Sequence, residues 1–306
     1  MTAEDKATWI AADWGTTNLR IWALDGTGQV LAHRCSGKGM GTLERNEFEP
    51  ALVELAADLL VDGKRTPVIV CGMAGSRQGW AEAPYLTVPC TPPSLSDATV
   101  VAAEDQRLDV RILPGVKQLN PADVMRGEET QIAGFLSENE GYTGTLCLPG
   151  THTKWVTLAA GKIERFRTCM TGETFALMSQ NSVLRHGLSE KDLDTAAFEE
   201  AVMQIYSAPE RLMAELFGIR ASGLVAGLSP EAARGRLSGL LIGSELAAVK
   251  GDFDLSNVAL LGSDAIARAY KGALVRAGHQ ASLLDADTIT LRGLQLAYSS
   301  YLKVPS

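Results

Sequence analysis

The stretch IAADWGTTNLRIWALD, residues 10–25, sets a polar centre between two apolar runs. The first run, Trp9 to Ala12, stops at Asp13. Gly15, Thr16 and Thr17 follow closely, and apolar residues then resume through Leu24. The pattern is that of a buried strand that turns on glycine and returns as a second strand. A carboxylate at such a tip either caps a β-turn or binds a cation. Glycine lets backbone N–H groups come close to a phosphate, and a carboxylate beside phosphate becomes favourable once Mg2+ lies between them. On the second reading Asp13 holds the metal, and Gly15, Thr16 and Thr17 meet phosphate oxygens.

The same pattern returns later. GTLCLPGTHTKWVTLAAGKIERFRT, residues 144–168, reads as strand, turn, strand, turn, strand. With Gly15 set on Gly150, the stretches GTTNLRIWALD and GTHTKWVTLAA align. Each has hydroxyl residues after the glycine, then a basic residue (Arg20, Lys154), a Trp (Trp22, Trp155) and an apolar strand. Gly150, Thr151, His152, Thr153 and Lys154 therefore form a second candidate phosphate turn. Arg20 and Lys154 either neutralise phosphate or face solvent by strand alternation, and His152 either donates to a ligand or satisfies local backbone. A third element, LLGSDAIARAY, begins a helix at Gly262-Ser263, where a nucleotide can rest on the helix N-terminus.

Around these turns the chain alternates strands and helices. TWIAAD, NLRIWALD and QVLAHRC form a three-strand meander, EFEPALVELAADLLV has helical spacing, and PVIVCGM is a short buried strand. SPEAARGRLSGLLIGSELAAVK opens on Ser229 as N-cap with Pro230 at the first helical position. Gly278 is placed to end the helix that follows NVALLG, and DADTITLRGLQLAYSSYLK closes the chain as another helix. The alternation points to an α/β fold, a sheet covered by helices. A domain boundary is expected between Asn120 and Gly144, around the helix RGEETQIAGFLSE.

Composition excludes several classes. The 306 residues are 46% hydrophobic and 21% charged, with 30 glycines and a formal net charge of −8, which argues against a general nucleic-acid binder. No apolar run reaches the ~18 residues that a spanning helix needs, and MTAEDKATW lacks the marks of a signal peptide. Cys35, Cys71, Cys90, Cys147 and Cys169 are odd in number and never form a CxxC. The four histidines are equally dispersed, so no zinc site is expected. The expectation is a reduced, soluble, cytoplasmic protein with a small-molecule partner, no nucleic acid and no membrane; oligomeric state is not legible.

DWGTTNLR, LPGTHTKW and ALLGSDA together resemble the two phosphate motifs and the adenosine motif of the actin/hexokinase/Hsp70 ATPase superfamily. GMAGSRQGWAEAPYL (72–86), DVMRGEETQIAGFL (123–136), LPGTHTKWV (148–156) and TCMTGETFALM (168–178), in that order, resemble the 2-dehydro-3-deoxygalactonokinase family. The resemblance implies an α/β fold of two similar ribonuclease-H-like domains with an ATP cleft between them: 1–122 for the sugar-acid and phosphate side, 123–290 for the nucleotide side, and 291–306 for a closing helix at the interdomain connection. It implies ATP with Mg2+, and phosphorylation of the 6-hydroxyl of 2-dehydro-3-deoxy-D-galactonate. It also implies a carboxylate base on the helix before the second phosphate motif, where this chain has Glu128 and Glu129 in place of the Asp common in related sugar kinases. Glu128 directly follows the glycine and is preferred; the alternative is a pair of solvated first-turn acids.

A sugar acid needs arginine or lysine with hydroxyl and amide help. GSRQGW supplies Ser76, Arg77, Gln78 and Trp80, the last either stacking on sugar or filling core, and SGKGMG supplies Lys38. Thr171, Gly172 and Glu173 are candidates for the nucleotide side, and Gly293 for a close helix contact. Other readings are another sugar or sugar-acid kinase, an ATPase or phosphatase of the same fold, and a non-catalytic sugar-binding regulator.

Overall fold

A computed structural model describes residues 6–262 and 264–302. The chain divides into two compact units. One comprises the chain up to Tyr142 together with Ala160–Glu164 and the part from Ala286 onward; the other is Thr143–Ala159 with Arg165–Asp285.

The first unit opens with the expected meander: β1 (Trp9–Trp14), β2 (Leu19–Leu24) and β3 (Val30–Ser36). Helix α1 (Phe48–Ala56) follows, turning Phe48, Ala51, Leu52 and Ala56 inward. Strand β4 (Thr66–Gly72) is buried along its whole length, as an apolar strand covered on both faces must be. Then come β5 (Tyr85–Thr87), β6 (Thr99–Val101), β7 (Leu108–Ile112), β8 (Gly115–Leu119), β9 (Ala122–Met125) and helix α2 (Glu128–Glu138). The main sheet has the order β3-β2-β1-β4-β7-β6, and β5-β8-β9 form a small second sheet. Strand β1 pairs antiparallel with β2, Asp13 opposite Arg20, and parallel with β4, Asp13 beside Cys71.

The second unit repeats this plan. Its strands are β10 (Gly144–Leu148), β11 (Thr153–Ala159) and β12 (Lys162–Cys169), after which helices α3 (Thr171–Asn181), α4 (Thr195–Ser207), α5 (Leu212–Val225) and α6 (Pro230–Val249) follow. Strand β13 (Asn257–Gly262), helix α7 (Asp264–Arg276) and strand β14 (Gln280–Asp285) complete it. The sheet order is β12-β11-β10-β13-β14, with β10 antiparallel to β11 and parallel to β13. A three-strand antiparallel meander extended by parallel strands on its first member occurs in both units: the fold is a duplicated ribonuclease-H-like α/β fold. Helix α6 starts as expected, Ser229 accepting from the Ala232 N–H ahead of Pro230.

The last helix, α8 (Ala286–Tyr301), belongs to the first unit and packs on α2. Small residues make that approach possible. A Cβ at Gly134 would lie 2.1 Å from the Ile289 carbonyl oxygen, and one at Gly293 would lie 2.0 Å from that of Thr130. The close helix contact expected at Gly293 is thus present.

The units divide at 142/143 and 285/286, where the sequence reading has 122/123 and 290/291. Strand β9 and helix α2 fall in the first unit because β9 pairs with β8, Met125 opposite Val116, and α2 is clasped by α8. These partners are remote or polar-looking in sequence, so composition gave no sign of them. Among the described residues no helix is long and apolar enough to cross a membrane.

Candidate active site

Both glycine turns stand at the carboxyl ends of central parallel strands, the edge at which open α/β sheets bind ligands. In the first unit Gly15 N–H closes the turn on the Asn18 carbonyl at 2.9 Å. The segment after β3 then folds onto it. The N–H groups of Met40 and Gly41 donate to the carbonyls of Gly15 and Thr16, at 3.0 and 2.8 Å. Because a trans peptide points its N–H opposite its C=O, the amides of Thr16 and Thr17 face away from this segment, as donors for an anion must. Gly39 is required there: a Cβ would lie 2.2 Å from the Thr17 carbonyl carbon. Thr16 and Thr17 are exposed.

The Asp13 carboxylate is mostly buried and takes Arg20 Nη2 on Oδ2 at 2.5 Å, while Cys71 Sγ lies 3.7 Å from Oδ1. Arg20 also pairs with Asp287 on α8. Arg20 is therefore turned onto carboxylates rather than left in solvent.

Glu128 and Glu129 open α2 as expected, and the two have different surroundings. Glu129 has no exposed surface, and both its oxygens lie 2.8 Å from the Gly127 N–H. Burial, with the charge of Glu128 adding to it, raises its pKa to about 8. Glu128 is half-buried and accepts the Arg126 N–H at 3.0 Å. Gly127, at φ +109°, supplies the left-handed turn between them, and its Cβ position lies 3.3 Å from Gly72 Cα. Gly72 in turn follows Cys71 and pairs with Trp14, so the α2 N-terminus and Asp13 meet across β4. The alternative of two solvated acids fails for Glu129, which no solvent reaches.

Mg2+ needs oxygen donors, and it habitually combines one or two carboxylates with phosphate oxygens and water. Asp13 fits as such a donor, since among the described residues Oδ1 is hydrogen-bonded only by the Cys71 thiol. Among the described residues no group of three or more His, Cys, Asp or Glu side chains forms a ready cage, so phosphate and water would have to complete the shell.

The substrate candidates separate. Ser76 is buried, and its hydroxyl makes no hydrogen bond among the described residues. Arg77 and Gln78 are exposed. Trp80 is core: it packs edge-on to Trp14 at 5.9 Å and beside Phe48 at 6.4 Å. Lys38 is exposed and pairs with Glu54, and its carbonyl accepts from Trp14 Nε1 at 3.0 Å.

In the second unit α3 docks against the second turn. Glu173 N–H donates to the Thr151 carbonyl at 2.9 Å, and His152 Nε2 meets Glu173 Oε2 at 2.6 Å. A Cβ at Gly172 would lie 2.3 Å from the Gly150 carbonyl oxygen, so only glycine permits this docking. Thr151 and His152 are exposed, while Thr153 and Lys154 are buried. Gly262 adjoins the turn, its Cβ position 3.3 Å from the Pro149 carbonyl; Ser263 lies outside the described residues. A cavity of about 390 Å³ opens beside these groups, lined by Gly150, Thr151, Thr171, Gly172, Phe175, Arg234 and Tyr270 among others. The α3 N-terminus contributes positive dipole there. Arg234 lies 5.0 Å over the Phe175 ring.

Several of these participants escape a linear reading. Cys71 reads as one apolar strand residue, and Arg126 as a loop cation. The structure buries Arg126 instead, with Nη2 on the Ala83 carbonyl at 2.7 Å and its guanidinium 4.2 Å over Tyr85. Phe175, Arg234 and Tyr270 come from three helices whose meeting no local pattern announces.

Known proteins resemble the chain over nearly its whole length. Residues 13–297 match the family model described as 2-keto-3-deoxy-galactonokinase. A Rhizobium meliloti (strain 1021) protein named "Probable 2-dehydro-3-deoxygalactonokinase" is 39% identical over 293 residues, covering 94% of this chain and 95% of that protein. The 2-dehydro-3-deoxygalactonokinase of Escherichia coli (strain K12) is 33% identical over 295 residues, covering 94% and 97%. A crystal structure of a Sinorhizobium meliloti protein assigned the same activity superposes with a TM-score of 0.88 at 38% identity, covering 97% of this chain and 100% of that one. With a matching family model over nearly its whole length and two such relatives, the chain belongs to the 2-keto-3-deoxy-galactonokinase family.

Proposed function

We propose that this protein transfers the γ-phosphoryl group of ATP to the 6-hydroxyl of 2-dehydro-3-deoxy-D-galactonate, yielding 2-dehydro-3-deoxy-6-phospho-D-galactonate and ADP. The observation that carries the reading is the duplicated glycine turn: one turn holds Asp13 near the α2 acids, and the other borders a cavity of about 390 Å³. Family membership supplies the sugar acid.

Phosphoryl transfer to a hydroxyl asks for an oriented acceptor, a group to take its proton and neutralisation of the transferred charge. Glu128 is the base in this reading. It is reachable from solvent, and the Arg126 N–H orients its carboxylate. Glu129, sealed from solvent with a pKa of about 8, holds the Gly127 peptide instead. Asp13 would hold Mg2+, directly or through water, and Arg20 fixes the carboxylate for that task. Mg2+, when bound, neutralises phosphate charge. Gly15, Thr16, Thr17 and Arg20, with Gly150, Thr151, His152, Thr153, Lys154, Gly262 and Ser263, are the nucleotide and phosphate residues of the proposal. Ser76, Arg77, Gln78 and Lys38 are its candidates for the sugar acid, Ser76 being favoured by a buried hydroxyl with no hydrogen-bond partner among the described residues.

The test is ADP release from ATP and Mg2+ with 2-dehydro-3-deoxy-D-galactonate, beside its gluconate epimer, galactonate, glycerol and a blank without acceptor. The expected result is release that depends on the galactonate-derived ketoacid. Equal release in the blank would mean an ATPase, and release with glycerol alone would mean a different acceptor.

A further inference from the structure

Glu245 is an acid in the middle of an apolar helix segment, SELAAV, and it is 5% exposed. A carboxylate is costly to bury unless donors surround it. Glu245 has three. Trp155 Nε1 donates to Oε1 at 2.6 Å, Tyr270 OH donates to Oε2 at 2.8 Å, and Thr171 Oγ1 donates to Oε2. Tyr270 OH is also 2.8 Å from Thr153 Oγ1, in a pair buried on both sides. Since the tyrosine gives its proton to Glu245, Thr153 donates to the tyrosine oxygen.

The partners of this hub bracket one short segment. Thr153 closes the second glycine turn and opens β11. Thr171 begins α3, and its neighbours Gly172 and Glu173 lie against Gly150 and Thr151. Through Tyr270 the carboxylate thus reaches one end of the turn, and through Thr171 it reaches the helix that covers the other. Thr171 and Tyr270 also line the cavity themselves. A core that needed only volume here would be served by leucine; an acceptor for three donors from β11, α3 and α7 is a device for fixing positions.

We propose that Glu245 is a positioning residue for nucleotide binding, setting the 150–153 turn and the α3 N-terminus in the register that the phosphates require. The inference rests on the kinase reading above, in which this turn and cavity take ATP. It predicts an effect confined to the nucleotide: neither Glu245 nor its partners touch a group assigned to the sugar acid.

The experiment uses the full-length protein and measures both KM values, kcat, and the affinity for a non-hydrolysable ATP analogue by calorimetry. Glu245→Leu is expected to raise the KM for ATP and weaken analogue binding at least tenfold, with the KM for the sugar acid within twofold of the parent. Glu245→Gln should recover most of the loss. Its amide oxygen accepts from Trp155, and its NH2 donates to the two hydroxyls, which reverse their protons. Tyr270→Phe, which removes one donor to Glu245 and with it the link to Thr153, should give a smaller loss of the same kind, and so should Thr171→Val. Folded variants with unchanged analogue affinity, or with both KM values raised alike, overturn the proposal. If Glu245→Leu does not fold, unchanged affinity in both Tyr270→Phe and Thr171→Val overturns it equally. A parent protein that binds no analogue overturns the kinase reading, and this inference with it; a parent that binds while its variants match it overturns the role of Glu245 alone.

Discussion

Glu129 couples the first unit's stability to pH. Its pKa of about 8, against an ordinary value near 4.5, comes first from burial and then from Glu128. A carboxyl whose folded pKa is raised is protonated in the native state, so its stabilisation is fully present below pH 4.5. It is lost as the pH rises toward 8, because only the unfolded chain ionises in that window, at about 1.4 kcal/mol per pH unit. Glu129→Gln cannot ionise, so the variant should lose this slope. Urea unfolding at pH 5.5, 7 and 8.5 tests it: parent and variant should diverge as the pH rises, and parallel curves would refute the burial argument. At Glu128 the expectation is kinetic. Glu128→Gln should lower kcat by about 10²–10⁴, the usual worth of a positioned base, with the KM for ATP nearly unchanged. A comparable kcat loss in Glu129→Gln alone would reverse the two roles.

At the scale of elements, backbone contacts set how closely α2 and α8 approach. The crossing of α2 and α8 has no room for a methyl group at Gly293, where a Cβ would lie 2.0 Å from the Thr130 carbonyl oxygen. Gly293→Ala should therefore cost at least about 1–3 kcal/mol through overpacking and lower the Tm by several degrees in calorimetry. Gly251→Ala is the control. Nothing lies within 4 Å of its Cβ position, and its Tm should stay within about a degree of the parent. Equal Tm values for the two variants would mean that the helices separate freely.

At the scale of the whole molecule, duplication of one sheet plan gives the chain two glycine turns, and the proposed chemistry assigns phosphate contacts to each. An ATP analogue at about 100 times its Kd should then stabilise the protein by about 2.7 kcal/mol, read as a rise in Tm. Chelation with EDTA should shrink that rise in the parent but have little further effect in Asp13→Asn, if Asp13 holds the ion. A rise insensitive to EDTA in both proteins would remove the metal from the proposal.

Local chemistry was enough to reveal much of this protein. The apolar run that stops at Asp13 and its glycine turn lie within a few residues of each other, and so do the corresponding strand and turn at Gly150. Strand, turn and hydroxyl pattern therefore specify the meanders without help from elsewhere, and Ser229 with Pro230 starts α6 for the same reason. Tertiary structure decided what depends on remote partners. Only folding shows that Glu129 is sealed while its neighbour Glu128 is reachable, that Trp80 is core, and that Ala286–Tyr301 joins α2 in the first unit. Burial, pKa and unit membership are properties of what surrounds a residue, and here the surroundings come from far along the chain, as Thr130 does for Gly293. The hub at Glu245 is the same case: one acid in an apolar helix is visible in the sequence, but its three donors are assembled by the fold.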